Sequence, residues 1–220
     1  MNSLDQKIAR ETAKLLLSIK AITLSPNKPY RYTSGMLSPI YCDNRLVMSY
    51  PKVRDKIIEF YIEILEKRIG LAHIDYISGT ATAAVPHATF IAQKINKPLV
   101  YVEISKDETK KPTIVGKLKK QTRAIVVEDH LTTGGSAVGN ALALRKMGVT
   151  AIDCIVTTTY NMKEARKLFK QNGINVCCLT NIDTILEVAV EDGYLRKFQR
   201  AVVRGWIDDP ENWARKHGFE

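Results

Sequence analysis

The second half of the chain alternates short apolar runs with helical patterns, and this alternation constrains the fold more than any other feature. Apolar and β-branched runs predict strands, and segments with apolar residues at helical spacing predict helices between them. The predicted strands cover residues 74–78, 99–102, 123–127, 150–158 and 175–179, and the predicted helices cover residues 84–95, 136–147 and 162–172. Strands joined through helices run parallel with right-handed crossovers. We therefore expect an α/β fold with a mostly parallel central sheet flanked by helices.

The N-terminal part follows a different pattern. Residues 3–19 have the apolar stripe of a helix, and residues 30–33 and 39–42 predict a hairpin around the Ser34-Gly35 turn. Further helices are expected over residues 51–68, 181–192 and 208–217. A chain of 220 residues with 45% hydrophobic content is long enough for one sizeable core, so we expect a single domain.

A turn rich in glycine and hydroxyl groups connects the predicted strand 123–127 to the predicted helix 136–147. Its residues are Thr132, Thr133, Gly134, Gly135 and Ser136. Because the turn lies at a helix N-terminus, its backbone N–H groups and hydroxyls can converge on one anion, and the helix dipole adds a partial positive charge. The pattern predicts a phosphate site. The alternative is an ordinary strand–turn–helix connection with surface acids.

Two acidic residues, Glu128 and Asp129, precede this turn. Two carboxylates would repel a bare phosphate unless they bind another part of the same ligand. Since carboxylates accept hydrogen bonds from the vicinal hydroxyls of a ribose, the pair and the turn together predict a site for a phosphorylated pentose. The sequence contains neither a Walker A pattern nor GxGxxG, so a triphosphate or dinucleotide site loses its usual support.

A second segment of small residues and hydroxyls, residues 78–83, lies between a predicted strand and a predicted helix. It repeats the logic of the first turn, and it predicts a second anion site that suits a diphosphate. A tight strand-to-helix turn that needs small residues for packing is the alternative.

The sequence EDHLTTGGS, residues 128–136, resembles the phosphoribosyl-diphosphate (PRPP) motif of the type I phosphoribosyltransferases. Residues 33–45, 78–88 and 179–193 resemble the corresponding stretches of the orotate phosphoribosyltransferases, and the likeness extends from about Leu15 to Asp209. The resemblance implies a type I phosphoribosyltransferase fold over residues 1–220, with an N-terminal helix and base-binding hood hairpin in residues 1–50 and the core in 51–220. It also implies transfer of the 5-phosphoribosyl group from PRPP to orotate, giving orotidine 5′-monophosphate and diphosphate in pyrimidine synthesis.

The resemblance assigns roles to individual residues. Glu128, Asp129 and Lys106 would be catalytic, and orotate would contact Thr132, Tyr41 and Ser34. PRPP would contact Glu128, Asp129, His130, Leu131, Thr132, Thr133, Gly134, Gly135, Ser136, Thr80, Ala81 and Lys106. Mg²⁺ would be the cofactor, held mainly by PRPP rather than by protein ligands. The enzyme would be a homodimer in which the mobile loop of each subunit serves the partner's site.

The mobile loop departs from the family pattern, which contains an Arg, one or two Lys and a His followed by Gly. Lys106 aligns with the central lysine, but the Arg is missing, and Glu103 or Val102 stands near its place. Glu108 falls where the His would be, and Thr109 replaces the Gly. Charge-assisted hydrogen bonds to a departing diphosphate are worth roughly 1.5–3 kcal/mol each. Either Lys106, Lys110 and Lys111 supply equivalent charge, or the chain binds PRPP and transfers poorly. We expect activity.

The net charge of +10 would concentrate anionic substrates near the site. Residues 106–123 alone carry seven basic and two acidic residues, a net charge of +5. A PRPP-binding regulator of nucleic acid is the alternative from another functional class, but no helix-turn-helix pattern is recognisable, so we regard nucleic acid as an improbable partner. A phosphoribosyltransferase for another base also stays open.

Composition also bears on the compartment. The sequence has no run of about eighteen apolar residues, and its N-terminus lacks the apolar centre of a secretory signal, so we expect a cytoplasmic protein without a membrane partner. Cys42, Cys154, Cys177 and Cys178 lack metal-type spacing and predict reduced thiols.

Overall fold

The computed structural model describes residues 3–32, 34–105, 107, 109 and 111–219. The α-helices are α1 (Ser3–Ser18), α2 (Pro51–Arg68), α3 (Val85–Lys94), α4 (Gly135–Lys146), α5 (Lys163–Gln171), α6 (Ile182–Glu191), α7 (Lys197–Asp208) and α8 (Pro210–Lys216). The strands are β1 (Ile22–Leu24), β2 (Tyr30–Arg31), β3 (Leu37–Ser38), β4 (Ile40–Cys42), β5 (Tyr76–Ala81), β6 (Leu99–Glu103), β7 (Thr113–Val115), β8 (Arg123–Leu131), β9 (Thr150–Thr159) and β10 (Asn175–Asn181). Short 3₁₀ helices cover Asn44–Ser49 and Leu71–His73.

The central sheet has six strands in the order β10-β9-β8-β5-β6-β7. All neighbouring pairs are parallel except β6 and β7, which confirms the predicted mostly parallel α/β architecture. From β5 the chain moves outward to β6 and β7, and then returns to β8 on the other side of β5. The strand order therefore reverses between β5 and β8, and ligands of open α/β sheets bind beyond the carboxyl ends of the strands at such a point.

Both faces of the sheet are covered, as the apolar character of β8 predicts. Ile125 and Val127 are fully buried in a cluster that includes residues of α1, α2, α3 and α6. Ala124 and Val126 are fully buried in a second cluster, which includes residues of α4. Alternate side chains of β8 thus pack against helices on opposite faces of the sheet, and this packing holds the strand in place between them.

The predicted hood hairpin is wrong in its pairing. Tyr30–Arg31 pairs with Leu37–Ser38, whereas Ile40–Cys42 pairs antiparallel with Ile22–Leu24. No strand is predicted from the sequence over Ile22–Leu24, because three residues give too short a pattern to recognise. The segment becomes a strand through its long-range partner. The outcome is two small two-stranded ribbons in place of one hairpin.

Three further differences concern the ends and number of elements. β8 continues to Leu131, so Glu128 and Asp129, which were predicted to follow the strand, lie on it. Pairing with β9 explains the extension, since Leu131 still lies opposite Thr159. The sequence also gave no prediction for β7 or α7, which lie in a charged region and in a basic segment respectively.

None of the helices in the described ranges combines the length and apolar character that crossing a bilayer requires. The four cysteines, Cys42, Cys154, Cys177 and Cys178, are free thiols, as their spacing predicts.

Candidate active site

A cavity of about 310 Å³ opens where the carboxyl ends of β5 and β8 meet. It is lined by Thr80, Ala81, Thr82 and Ala83 and by the continuous stretch from Glu128 to Ala137. The fold therefore brings both predicted anion loops and both predicted acids to a single cavity. Strand pairing causes this meeting: Gly79 lies opposite Val127 in the last pair between β5 and β8, and Thr80 and Glu128 are the next residues along. Beyond this pair the two strands part, while Thr80 still pairs with β6 and Glu128 with β9.

The loop before α4 takes its shape from Gly134. This residue is the N-cap of α4 in a left-handed conformation, with φ of 82°, which favours glycine. A Cβ at this position would lie 2.4 Å from Cε2 of Phe169, so only glycine fits without displacing the ring. Thr132, Thr133, Gly135 and Ser136 remain exposed. Their backbone N–H groups and hydroxyls are thus available to a phosphate at the helix N-terminus.

The environment of the two acids of the cavity, Glu128 and Asp129, disfavours their ionised forms. Glu128 is only 6% exposed, and burial, together with the neighbouring charge of Asp129, raises the pKa of its carboxyl well above the ordinary value. Burial also raises the pKa of Asp129, while a hydrogen bond with Glu128 and the guanidinium of Arg45 act against that rise. A buried and a half-buried carboxylate side by side suit a ligand that brings hydroxyl donors and positive charge.

The second loop, at the end of β5, includes a cis peptide bond between Ala81 and Thr82. Thr80 is almost completely buried, whereas Ala81 and Ala83 are partly exposed and Thr82 is exposed to solvent. The loop therefore offers backbone groups to the cavity beside the acids.

The ribbon of β1 and β4 is connected to β8 through Asn44, which follows β4. Its side-chain amide donates to the backbone oxygen of Asp129 at 2.7 Å and to the Thr158 hydroxyl at 2.7 Å. Sequence reasoning did not assign a role to Asn44, although it lies in one of the segments that carry the family resemblance. Asn44 is fully buried, and this burial, which would have indicated a role for its amide, is visible only in the structure.

His130 and Leu131 lie in the cavity wall with their side chains turned into protein. The imidazole Nδ1 of His130 is 2.8 Å from the Thr158 hydroxyl, and burial lowers the pKa of the ring to about 4. Its ring stands edge-on to Tyr160, with centroids 4.3 Å apart. The Leu131 side chain is buried in the core. Any contact of Leu131 with a ligand would therefore use its backbone.

The other predicted site residues lie elsewhere. Tyr41 is 41% exposed on the hood, where its ring contacts Tyr30 and Tyr32, and Ser34 is exposed at the tip of the β2–β3 ribbon. Neither lines the cavity of the acids. The predicted catalytic Lys106 lies outside the described residues, as do Glu108 and Lys110 of the same loop.

Comparison with known proteins agrees with this geometry. The family described as "Phosphoribosyl transferase domain" matches residues 49–191. The orotate phosphoribosyltransferase of Coxiella burnetii is 46% identical over 206 residues, which cover 93% of this chain and 98% of that protein. The chain belongs to the orotate phosphoribosyltransferase family.

Solved structures agree with this family assignment. Orotate phosphoribosyltransferase from Aeropyrum pernix superposes with a TM-score of 0.67 at 26% identity and covers 80% of this chain and 97% of its own. Leishmania donovani UMP synthase superposes with a TM-score of 0.74 at 24% identity, covering 90% of this chain and 42% of that chain. At that identity the second likeness concerns the fold alone. The predicted type I phosphoribosyltransferase fold is thus confirmed.

Proposed function

We propose that this orotate phosphoribosyltransferase family member transfers the 5-phosphoribosyl group from PRPP to orotate, giving orotidine 5′-monophosphate and diphosphate for pyrimidine nucleotide synthesis. The observation that carries the proposal is the single cavity that joins the adjacent acids Glu128 and Asp129 to the two predicted anion loops. A phosphorylated sugar diphosphate has the matching parts: hydroxyls for the acids, a 5′-phosphate for the loop before α4 and a diphosphate for the loop after β5.

In the proposed reaction, the bond between the anomeric carbon and the diphosphate oxygen breaks while a ring nitrogen of orotate bonds to the same carbon. Positive charge develops on the ribose in this transition state, and negative charge develops on the leaving diphosphate. Glu128 and Asp129 hold the ribose hydroxyls and place negative potential beside the ring. The backbone N–H groups of the loops hold the phosphates, and Lys106 contributes positive charge when its loop closes.

The proposal includes Mg²⁺ that enters with PRPP. The residues fit such an ion, since two adjacent carboxylates with raised pKa values lie in the cavity and a divalent cation would offset their charge. Glu128 and Asp129 would hold the hydrated ion indirectly, through the ribose hydroxyls that they orient. Such an ion would supply positive charge to the leaving diphosphate.

The test is an assay of base consumption with PRPP and Mg²⁺ against orotate, uracil, adenine and hypoxanthine. We expect product from orotate, and we expect Asp129→Asn to lower kcat far more than it raises the KM for PRPP. A folded preparation that binds PRPP but consumes none of the four bases would overturn the proposal. A gel-shift of nucleic acid that PRPP reverses would instead support the regulator.

We also propose a cytoplasmic homodimer in which the Lys106 loop reaches the partner's site. Free cysteines agree with a reducing compartment. Mixing inactive Lys106→Ala and Asp129→Asn subunits tests the shared site, because a hybrid dimer would contain one site with both native residues. Recovery of activity on mixing is expected. No recovery, despite subunit exchange verified by mass, would place each loop over its own subunit's site.

A further inference from the structure

A second cavity, of about 450 Å³, lies between α5 and the edge strand β10, and we call it the α5–β10 cavity. It opens on the same side of the sheet as the active-site cavity, because Thr159 and Asn181, the last residues of β9 and β10, line it. Leu131 lines both cavities, so the two are neighbours in the fold. Its other lining residues lie outside the proposed contacts of PRPP and orotate.

The floor of the α5–β10 cavity is apolar. Phe169 and Ile174 line it and are almost completely buried in one core cluster. Cys178 packs against the same cluster from β10, and Val176, two residues earlier on the strand, faces the same side of the sheet. Val176 therefore points its side chain into the cavity while 37% of the residue stays exposed. A concave, mostly apolar space of this size with a few polar groups is typical of small-molecule sites.

The rim of this cavity is positively charged. Arg166 and Lys170, one turn apart on α5, are both exposed, and every charged residue among the described ones that line the cavity is basic. Arg166 donates to the backbone oxygen and to Oδ1 of Asn161, at 2.6 and 3.0 Å. Neither cation forms an ion pair within the described part of the chain. An anionic group at the rim would therefore gain two charge-assisted contacts.

A neighbouring cavity of about 410 Å³ provides a contrast. Its lining includes Asp5 of α1, Arg68 of α2 and Asp153 of β9. Asp5 pairs with Arg68, and Asp153 pairs with Arg123 at 2.7 Å. The charges of that cavity are matched within the protein, whereas those of the α5–β10 cavity are left for a ligand.

Two amides of the lining indicate what kind of anion fits. Oδ1 of Asn181 accepts from the backbone N–H of Thr184 at 3.1 Å, which leaves its NH₂ group without a partner among the described residues. The amide nitrogen of Asn175 donates to Asp153 at 3.1 Å, which leaves its oxygen as an acceptor. A flat base with polar edges matches the apolar floor and these two groups, and a phosphate matches the rim. A fatty acid would leave both amides unpaired, so a nucleoside monophosphate fits better.

Phe169 connects the α5–β10 cavity to the phosphate loop. Its ring lines the cavity and packs so closely against the loop that a Cβ at Gly134 would lie 2.4 Å from Cε2. We propose that this cavity is a second nucleotide site, which binds a nucleoside monophosphate and alters the affinity for PRPP through Phe169. A ligand held against the ring restricts its movement and thus the movement of the loop that it supports. The inference goes beyond the proposed function, because this nucleotide takes no part in the transfer.

The experiment is calorimetric binding of uridine 5′-monophosphate (UMP) to the full chain with saturating PRPP and Mg²⁺ but no orotate, so that the active-site cavity is occupied. We expect one UMP per subunit. Lys170→Glu should weaken the Kd at least about tenfold, because attraction for the phosphate becomes repulsion, and Val176→Trp should abolish binding by filling the cavity. Lys167→Glu is the matched control and should keep the wild-type Kd, since it makes the same charge change on α5 and Lys167 does not line the cavity.

Three results would overturn the site. They are an absence of UMP binding to the wild type under these conditions, an equal Kd for Lys170→Glu and Lys167→Glu, and equally tight binding of ribose 5-phosphate, which lacks the base. Should Val176→Trp fail to fold, Lys170→Glu decides.

Kinetics test the coupling to PRPP. UMP should change the KM for PRPP more in the wild type than in Val176→Trp or Lys170→Glu. The same dependence on UMP in all three proteins would mean competition in the active-site cavity alone, and it would overturn the coupling. Binding of UMP needs no turnover, so a wild type that binds UMP in the α5–β10 cavity but makes no orotidine 5′-monophosphate overturns the proposed function and not this site.

Discussion

The acid pair is built for a ligand at the expense of stability, and Glu128→Gln should therefore stabilise the free protein. Burial and the charge of Asp129 raise the pKa of Glu128 in the folded state above its value in the unfolded chain, about 4.3. The folded state then binds the proton more tightly than the unfolded state. The contribution of Glu128 to stability is therefore fully present below pH about 4 and is lost as the pH rises through the folded pKa.

The magnitude follows from what the carboxylate lacks. Glu128 has a hydrogen bond from Thr80 and its own backbone neighbour, the N–H of Asp129 at 3.2 Å, but no buried cation offsets its charge among the groups that shift its pKa. An incompletely compensated buried polar or charged group costs about 1–3 kcal/mol. Glutamine keeps the size and the acceptor oxygen and removes the charge. For a chain of this length, the gain corresponds to roughly 2–12 °C in Tm.

The assay is thermal unfolding without PRPP or Mg²⁺ at pH 8 and at pH 4.5. Glu128→Gln should melt above the wild type at pH 8, and the difference should shrink at pH 4.5, where the wild-type carboxyl is protonated. Exposed Glu63 provides the matched control, and Glu63→Gln should change Tm by no more than about 2 °C. A variant that melts at or below the wild type at pH 8, or a difference that is the same at both pH values, would refute the reasoning.

Three other predictions concern the loop, the hood and the metal. Gly134→Ala should raise the KM for PRPP at least tenfold and lower Tm, since its Cβ would lie 2.4 Å from the Phe169 ring. Gly135→Ala is the control and should keep the wild-type Tm, because a Cβ there meets nothing within 4 Å. Equal Tm values for the two variants would contradict this account. Asn44→Ala should lower the free energy of unfolding in urea by about 1–3 kcal/mol and raise the KM for orotate, because the hydrogen bond from Asn44 to the backbone oxygen of Asp129 is lost. An unchanged KM would mean that Asn44 does not help to form the orotate site. Chelation of Mg²⁺ should abolish product formation reversibly, and full activity in excess EDTA would remove the metal from the mechanism.

Patterns along the chain predicted most of the central sheet and, within the candidate site, the two loops that line the cavity. The strands near residues 99–102, 150–158 and 175–179 and the helix over Pro51–Arg68 are found within a few residues of their predicted ends. These elements are long and strongly periodic, and local sequence is enough to specify them. The anion loops were also visible, because glycine and hydroxyl groups at a strand-to-helix junction form a local pattern.

Elements that depend on a distant partner were not predicted. Ile22–Leu24 becomes a strand through Ile40–Cys42, and β8 continues through two acidic residues because β9 offers it a ladder as far as Thr159. Three residues of strand, or a carboxylate on a strand, carry no recognisable local preference. The free energy that stabilises such a strand depends on the strand it pairs with, so it cannot be predicted from the sequence of either strand alone.

The sequence by itself therefore indicated the type of ligand, since an acid pair followed by a glycine- and hydroxyl-rich turn is a pattern of neighbouring residues that predicts a phosphorylated sugar. Tertiary structure alone decided how that chemistry is arranged. Thr80 and Glu128 become neighbours through parallel pairing of β5 with β8, and the amide of Asn140 on α4 reaches the side chains of Ser78 and Thr80, which both lie on β5. A buried hydrogen bond depends on the distance, direction and exclusion of water around two atoms, and these are set by packing between residues that are far apart in the chain.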